Sequence, residues 1–318
     1  MRILIVGGLG YLGSHCARFL SEQRGHEVRI LTLFIPPYFR EFADRFETVE
    51  ADVTRPETLL GCCRACDVVL YLAALDKFVS ARDPSQALRV SGSGTRALLE
   101  EARKSGVRRF VFFSTIHVYG VPRVAVLNEE TPVNPIHDYS LSHYAGELYC
   151  RMFRERHDFP AVSLRLANGY GAPLHPDVDC WSIVIHDFCR SAVQEGRILL
   201  KSQGTQARDF IPIPDILQAL RLMVETDPAL MDHPVYLAAS GQSWTIRDIA
   251  NQVQQVYARE FGREIPIEMA EAAEAADFTT PFRLDISRLQ ALGFTPGGEQ
   301  AMTCEIQKIF TLLHQADT

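Results

Sequence analysis

The apolar positions in the first half of the chain fall into short unbroken runs separated by longer amphipathic stretches. RILIVG at 2–7 is the first such run, and an unbroken run marks a strand covered on both faces. Further strand-like segments follow at 26–33 (HEVRILTL), 47–52 (ETVEAD), 67–74 (DVVLYLAA), 108–115 (RRFVFFST) and 161–168 (AVSLRLAN). Between them the period lengthens to that of helices, over about 11–24, from Pro84 to Lys104 and from Tyr139 to Arg156. Proline in a first turn suits a helix start. Strand alternating with helix predicts an α/β fold of Rossmann type, a doubly wound parallel sheet with right-handed crossovers.

The second half is less regular. It has a helical stretch around 181–195, a strand turning into a helix at 210–225 (FIPIPDILQALRLMVE), one more strand at 234–239 (PVYLAA), and helices at about 245–262 and 299–314. No internal repeat or low-complexity linker interrupts it. The pattern divides into a Rossmann domain over 1–168, to which part of 207–242 returns, and a smaller C-terminal lobe over 169–318.

VGGLGYLGSH joins the first strand to the first helix. Gly7, Gly10 and Gly13, with Gly8, satisfy a glycine-rich dinucleotide turn, in which the backbone approaches a pyrophosphate and a helix N-terminus faces it. Tyr11 and Leu12 belong to the same turn. The carboxylate that binds an adenosine ribose is expected to end the second strand, but Thr32 stands there, followed by Leu33 and Phe34. No arginine is immediately adjacent to mark a 2′-phosphate. NAD is therefore the expected cofactor, with NADP left open. Asp52 after the third strand is placed for the adenine amino group or, alternatively, as a strand-end cap.

Composition narrows the class. With 318 residues, 47% hydrophobic and 22% charged, the chain has material for two closely packed lobes. Lys and Arg number 32 against 39 Asp and Glu, a net charge of -7, which argues against a nucleic-acid partner. The N-terminus has no apolar signal core of about 7–15 residues, and no apolar run reaches the roughly 18–20 residues that span a bilayer. A soluble, cytoplasmic enzyme without a membrane partner is expected. Cys62, Cys63 and Cys66 cluster in GCCRAC, late in a predicted helix. With no second CxxC they read as reduced structural thiols. His175 and His186 lack metal-ligand company, so no metal is expected. Trp181 and Trp244 read as packing residues.

Taken with GGLGYLGSH, the stretches AD (51–52), YLAAL (71–75), GT (94–95), STIHVYG (114–120), YSLSHYAGE (139–147), LRLANGYG (164–171), GTQARDFIPIPD (204–215) and LDISRLQALGFTP (284–296) occur in one order along nearly the whole chain. In that order the chain resembles the extended short-chain dehydrogenase/reductases, within them the nucleotide-sugar epimerase/dehydratase group typified by UDP-galactose 4-epimerase. The resemblance implies an NAD(P)-dependent epimerase or related oxidoreductase. It implies Thr115 and Tyr139 as catalytic residues, with His143 where the family has lysine. Val53, Leu72, Ala73 and Ala74 join Asp52, Tyr139 and His143 around the cofactor. Thr115, His117, Asn168 and Arg208 would face the substrate, a nucleotide-diphosphate sugar, with Arg208 on the diphosphate. A homodimer through the helices near 84–104 and 140–157 is a further implication.

The chain departs from the family pattern in several places. Ser91 replaces the usual asparagine. Ile116 and His117 replace the acid pair of the 4,6-dehydratases, which disfavours dehydration. The second phosphate-binding arginine has no counterpart in 272–280, and Arg283 is offset from that place.

The implied reaction takes hydride from a sugar carbinol carbon, usually C4, while Tyr139 accepts the hydroxyl proton and Thr115 hydrogen-bonds the same oxygen. The alternatives are a family reductase or dehydrogenase on another carbonyl substrate, and a non-catalytic dinucleotide-binding member. A free imidazole is only about a quarter protonated at pH 7. His143 is thus expected to assist Tyr139 weakly as a partial cation, directly or through a water.

Overall fold

The computed structural model describes residues 1–274 and 281–316. In chain order its strands are β1 (Arg2–Val6), β2 (Glu27–Thr32), β3 (Glu47–Glu50), β4 (Val68–Tyr71), β5 (Arg109–Thr115), β6 (Val126–Leu127), β7 (Ala161–Leu166), β8 (Asn168–Tyr170), β9 (Ile198–Ser202), β10 (Ala207–Pro212), β11 (Val235–Ala238), β12 (Ser243–Thr245), β13 (Ile267–Glu274) and β14 (Arg283–Leu284). Seven of them form one sheet in the order β11-β7-β5-β4-β1-β2-β3, and every pairing in it is parallel. The sheet winds outward in both directions from the β1/β4 pair. Such a reversal opens a crevice at the carboxyl ends of the strands, where doubly wound sheets bind ligands.

The unbroken apolar runs follow from burial on both faces. Ile3 and Ile5 pack into one core layer and Leu4 and Val6 into the opposite one, all four fully buried. Each such side chain contributes about 1.5–3 kcal/mol when removed from water. A third core, built from residues such as Tyr170, Phe188, Ile249 and Phe310, lies within the second half of the chain. Trp181 and Trp244 pack against that core.

Several predicted elements take a different form. The first helix is regular over Tyr11–Arg18 and widens into a π turn at Phe19–Gln23. The stretch from Pro84 to Lys104 is likewise interrupted, running Pro84–Ala87, a π-helical Leu88–Gly94, then Thr95–Lys104. Two glycines weaken the helix there, and Gly94 also permits close approach, since a Cβ on it would stand 2.7 Å from the Tyr71 hydroxyl. The cysteine cluster lies not late in a helix but in turns after a short 3₁₀ segment at Pro56–Leu59. Its three thiols are buried and free. Of 207–242, β11 adds the seventh strand, whereas β10 pairs with β8 and β12 outside the main sheet. Residues 275–280 of the stretch searched for a second phosphate-binding arginine lie outside the described residues. No helix among the described residues is long and apolar enough to cross a membrane.

Candidate active site

The glycine turn at the end of β1 leaves room only for glycine. Gly7 has φ +80° and donates its N–H to Leu31 O at 2.8 Å. A Cβ on Gly13 would stand 2.1 Å from the Gly7 carbonyl oxygen, and one on Gly7 would stand 2.9 Å from Ala73 N. The segment after β4, with Leu72, Ala73 and Ala74, is thereby held against the turn. The helix that follows begins at Gly10 without a side-chain cap and without an acidic residue in its first turn. Its leading amides have no partner within the helix, so the turn presents N–H groups and the positive end of a helix dipole. This cradle fits a dinucleotide pyrophosphate. The Tyr11 hydroxyl donates to Gly171 O at 2.6 Å and so ties the turn to the second half of the chain.

Thr32 is buried, and its hydroxyl donates to Phe34 O at 2.9 Å. Leu33 and Phe34 are exposed beside it. Asp52 Oδ1 accepts both the N–H and the hydroxyl of Thr54 at 2.8 Å. One of its oxygens thus caps the turn after β3, which favours the strand-end cap, and Val53 is buried behind it.

Thr115 ends β5 and Tyr139 lies in the first turn of the helix Asp138–His157. That helix starts where it does because His137 Nδ1 accepts the Ser140 N–H and the Ser140 side chain reaches back, a reciprocal cap. Burial pushes the Tyr139 phenol above its ordinary range, while the nearby Thr115 hydroxyl pulls the other way. The two hydroxyl groups therefore share one end of the crevice.

His143 lies one turn further on, its ring centroid 4.3 Å from that of Tyr139. Its Nδ1 is 2.8 Å from Tyr139 O. A carbonyl only accepts, so Nδ1 carries the proton and Nε2 is a bare acceptor. Burial lowers the His143 pKa to about 4. Burial thus favours the uncharged imidazole at neutral pH, against the partial cation expected of this position.

Two more histidines stand near Tyr139. The ring of His117 is 6.0 Å from it and 5.6 Å from that of His137. Burial, then the nearby His137, Arg208 and Lys77, lowers the His117 pKa to about 3. Burial lowers His137 as well, helped by Lys77. Arg208 lies on β10, and its Nη1 donates to Ala207 O at 2.9 Å. The neighbouring carboxylates point elsewhere, Asp209 to Ser240 N at 2.8 Å and Asp215 to Gly297 N at 2.9 Å. Arg208 and His117 share the wall of a cavity of about 30 Å³ beside Tyr119. Asn168 on β8 donates its side-chain N–H to Asp209 O at 2.7 Å, which fixes β8 to β10.

Sequence reasoning missed the pair beneath these groups. Glu147 is one turn beyond His143 and makes two bonds to Arg165 of β7, Nε to Oε1 at 2.9 Å and Nη2 to Oε2 at 2.7 Å. Ser114 donates to the same carboxylate, and Arg165 Nη1 donates to the Tyr119 hydroxyl at 2.7 Å. This buried network locks β5, β7 and the Tyr139 helix together just below Thr115. Two signals in the sequence point to it: an arginine inside the apolar run AVSLRLAN, and the four-residue spacing Tyr139, His143, Glu147. Among the described residues no group of three or more metal-ligating side chains could hold an ion. His175 instead stacks on Tyr38, and His186 Nε2 bonds Gly171 O at 2.7 Å.

Comparison with known proteins adds the following. The family model of the NAD dependent epimerase/dehydratase family matches residues 3–236. The chain is 31% identical over 229 residues to a UDP-glucose 4-epimerase of Mycolicibacterium smegmatis, covering 69% of this chain and 72% of that one. It is 26% identical over 271 residues to a dTDP-glucose 4,6-dehydratase of Streptomyces niveus, covering 80% and 76%. The crystal structure of a Thermotoga maritima UDP-glucose 4-epimerase has the same fold, with a TM-score of 0.85 at 21% identity over the full length of both chains.

Proposed function

The chain belongs to the NAD-dependent epimerase/dehydratase family, and from that premise we propose that it is a nucleotide-sugar epimerase acting by transient oxidation of a sugar carbinol. The observation that carries this reading is the placement of the Tyr139 phenol close to the Thr115 hydroxyl, with His117 beside Tyr139 and Arg208 beside His117. NAD, when bound, supplies reversible hydride exchange with the carbinol carbon. Gly7, Gly10 and Gly13 would seat its pyrophosphate, and Tyr139 and His143 would stand at its nicotinamide end. Thr115 holds the carbinol oxygen and Tyr139 takes its proton. Arg208 grips the diphosphate, whose oxygens match a guanidinium fork. His143 serves as a neutral acceptor behind the phenol rather than as a cation. Residues 169–318 supply the substrate lobe. The Asp-Glu pair of dehydratases is replaced by Ile116 and His117, which supports epimerisation over loss of water.

The protein acts in this reading as a cytoplasmic homodimer. Support for the dimer comes from Phe78, Leu88, Leu141 and Leu148, which are exposed on the segment 77–94 and the helix Asp138–His157. These two elements pack closely, for a Cβ on Gly146 would stand 2.6 Å from Ser91 O.

Calorimetric titration of the NAD-loaded protein with UDP-, GDP-, CDP- and dTDP-sugars, followed by chromatography of the recovered sugars, tests the reading. Binding of one class with appearance of its epimer is expected. The uncharged His143 favours a second reading, a dinucleotide-binding member without turnover. Tight NAD binding with no interconversion across the panel would establish it.

A further inference from the structure

We propose that Ser114, Glu147 and Arg165 are positioning residues for the reaction, and that their buried network sets how the Tyr139 phenol stands against the Thr115 hydroxyl. The inference rests on the epimerase reading above. In it these three residues act through their neighbours rather than on the sugar.

Each member is tied to a group that the reaction uses. Ser114 is the covalent neighbour of Thr115 at the end of β5 and donates to Glu147. Glu147 ends the row Tyr139, His143, Glu147 on one helix, where residues four apart lie one above the other. Arg165 sits opposite Ser114 in the register of β7 against β5. It grips both Glu147 oxygens, at 2.9 Å and 2.7 Å. Its Nη1 also donates to the Tyr119 hydroxyl at 2.7 Å, with the guanidinium carbon 4.9 Å from the centre of that ring. Tyr119 in turn donates to Asn128 O at 2.7 Å and closes the 3₁₀ turn Ile116–Tyr119, which carries His117. Thr115, His117 and Tyr139 therefore hang from one connected set of hydrogen bonds.

Stability alone does not account for these residues. The Arg165 and Glu147 side chains are only 5% and 4% exposed, and removing two charges from water costs about as much as their attraction returns. An apolar pair of similar volume would hold β7 to the helix as firmly. It would not fix direction. A carboxylate that accepts three hydrogen bonds, two of them from one planar guanidinium, is fixed in angle as well as in distance. Proton transfer from a carbinol to Tyr139 while Thr115 holds the same oxygen depends on such placement, since a displacement of about 1 Å costs about a hundredfold in rate.

The test measures kcat, KM and NAD affinity on the NAD-loaded protein with whichever UDP-, GDP-, CDP- or dTDP-sugar it epimerises. Ser114→Ala cuts the network only where it joins the Thr115 strand end and leaves the Glu147–Arg165 pair intact. Its kcat should fall about tenfold or more, with KM and NAD affinity within about twofold of the parent. Ser114→Thr keeps the hydroxyl and should hold kcat within about threefold of the parent. Ser114→Ala, Glu147→Leu and Arg165→Met combined replace the set by apolar side chains and leave no buried charge unpaired. Once circular dichroism shows this triple variant folded, its kcat should fall about a hundredfold, again with both affinities nearly unchanged. Parent-like kcat in Ser114→Ala or in the folded triple variant would overturn the proposal and leave the epimerase reading standing. So would an equal loss of kcat and both affinities, which marks a structural role. If the triple variant does not fold, Ser114→Ala and Ser114→Thr decide between these outcomes. If the parent epimerises none of these sugars, the epimerase reading fails and the proposal fails with it.

Discussion

Tyr139 and His143 were both legible as a pair at helical spacing, but the charge on the second was not. A histidine in the place of a lysine reads from sequence as a weak cation, because an unperturbed imidazole titrates close to neutrality. Its surroundings decide otherwise: burial lowers its pKa to about 4 despite the bond from Nδ1 to Tyr139 O, which works the other way, and so leaves it neutral. A phenolate at pH 7 costs about 4 kcal/mol even for a free tyrosine, and burial raises that cost for Tyr139. Turnover should therefore be slow and should rise steadily with pH through the alkaline range, with no step near 6.5, because His143 stays uncharged there. Tyr139→Phe should abolish turnover. His143→Lys should raise the neutral-pH rate, since one unit charge at about 5 Å and an effective dielectric near 20 contributes roughly 3 kcal/mol. A pH–rate profile for all three proteins checks this, and a Tyr139→Phe variant with full activity would remove the mechanism. Arg208→Ala should weaken nucleotide-diphosphate binding by about 1.5–3 kcal/mol, the scale of a charge-assisted hydrogen bond. Its NAD affinity should stay nearly unchanged. Parallel titrations of UDP and NAD measure both, and equal loss of the two would assign Arg208 a structural role instead.

At the scale of elements, the strands of the sheet were readable because burial on both faces leaves an unbroken apolar signature, as in RILIVG. The glycine turn was readable because its geometry excludes every other residue at Gly13. Gly13→Ala should accordingly reduce NAD affinity by more than about tenfold, measured by fluorescence titration on protein whose circular dichroism matches the parent. Unchanged affinity would mean that the cofactor does not use this turn. What stayed hidden were features set by tertiary neighbours. The π-helical turn at Leu88–Gly94 answers to the Tyr71 hydroxyl across the sheet. The Glu147–Arg165 pair joins a helix to a strand 18 residues away in sequence, and no local pattern announces which charges meet. The cysteine cluster misled for the same reason: its apolar spacing suits a helix, whereas the chain turns there to bury all three thiols.

Among the described residues, several imidazoles are held neutral inside the molecule. Burial holds His15, His143 and His186 at about 4 and His117 at about 3, against 6.5 in the unfolded chain. Each folded-state value lies below the unfolded one, so as pH falls below about 6.5 the unfolded chain takes up protons that the folded chain refuses. Asp209, Asp215 and Glu129 work the other way, for burial raises all three, Asp209 to about 7, and the folded state holds those protons first. The four histidines outnumber them, and each net proton tilts stability by about 1.4 kcal/mol per pH unit. The thermal midpoint should therefore fall as pH is lowered from about 7 to about 5; a midpoint that holds steady or rises would mean that these rings reach solvent or carboxylates. The fold class and the order of the motifs were legible across the whole chain. The cavity beside His117 was not, since it is assembled from 116–127, Arg208 and Phe282, segments far apart in sequence. The account as a whole stands on reversible oxidation of a bound sugar without net consumption of NAD. The most direct measurement incubates the protein and a trace of NAD with the nucleotide sugar that binds it. Product sugar is then counted against cofactor consumed, with Tyr139→Phe alongside. The account predicts many turnovers to the epimer per NAD, none lost as NADH, and silence from the variant; product formed one-for-one with NADH, or epimer formed equally well without Tyr139, would contradict it.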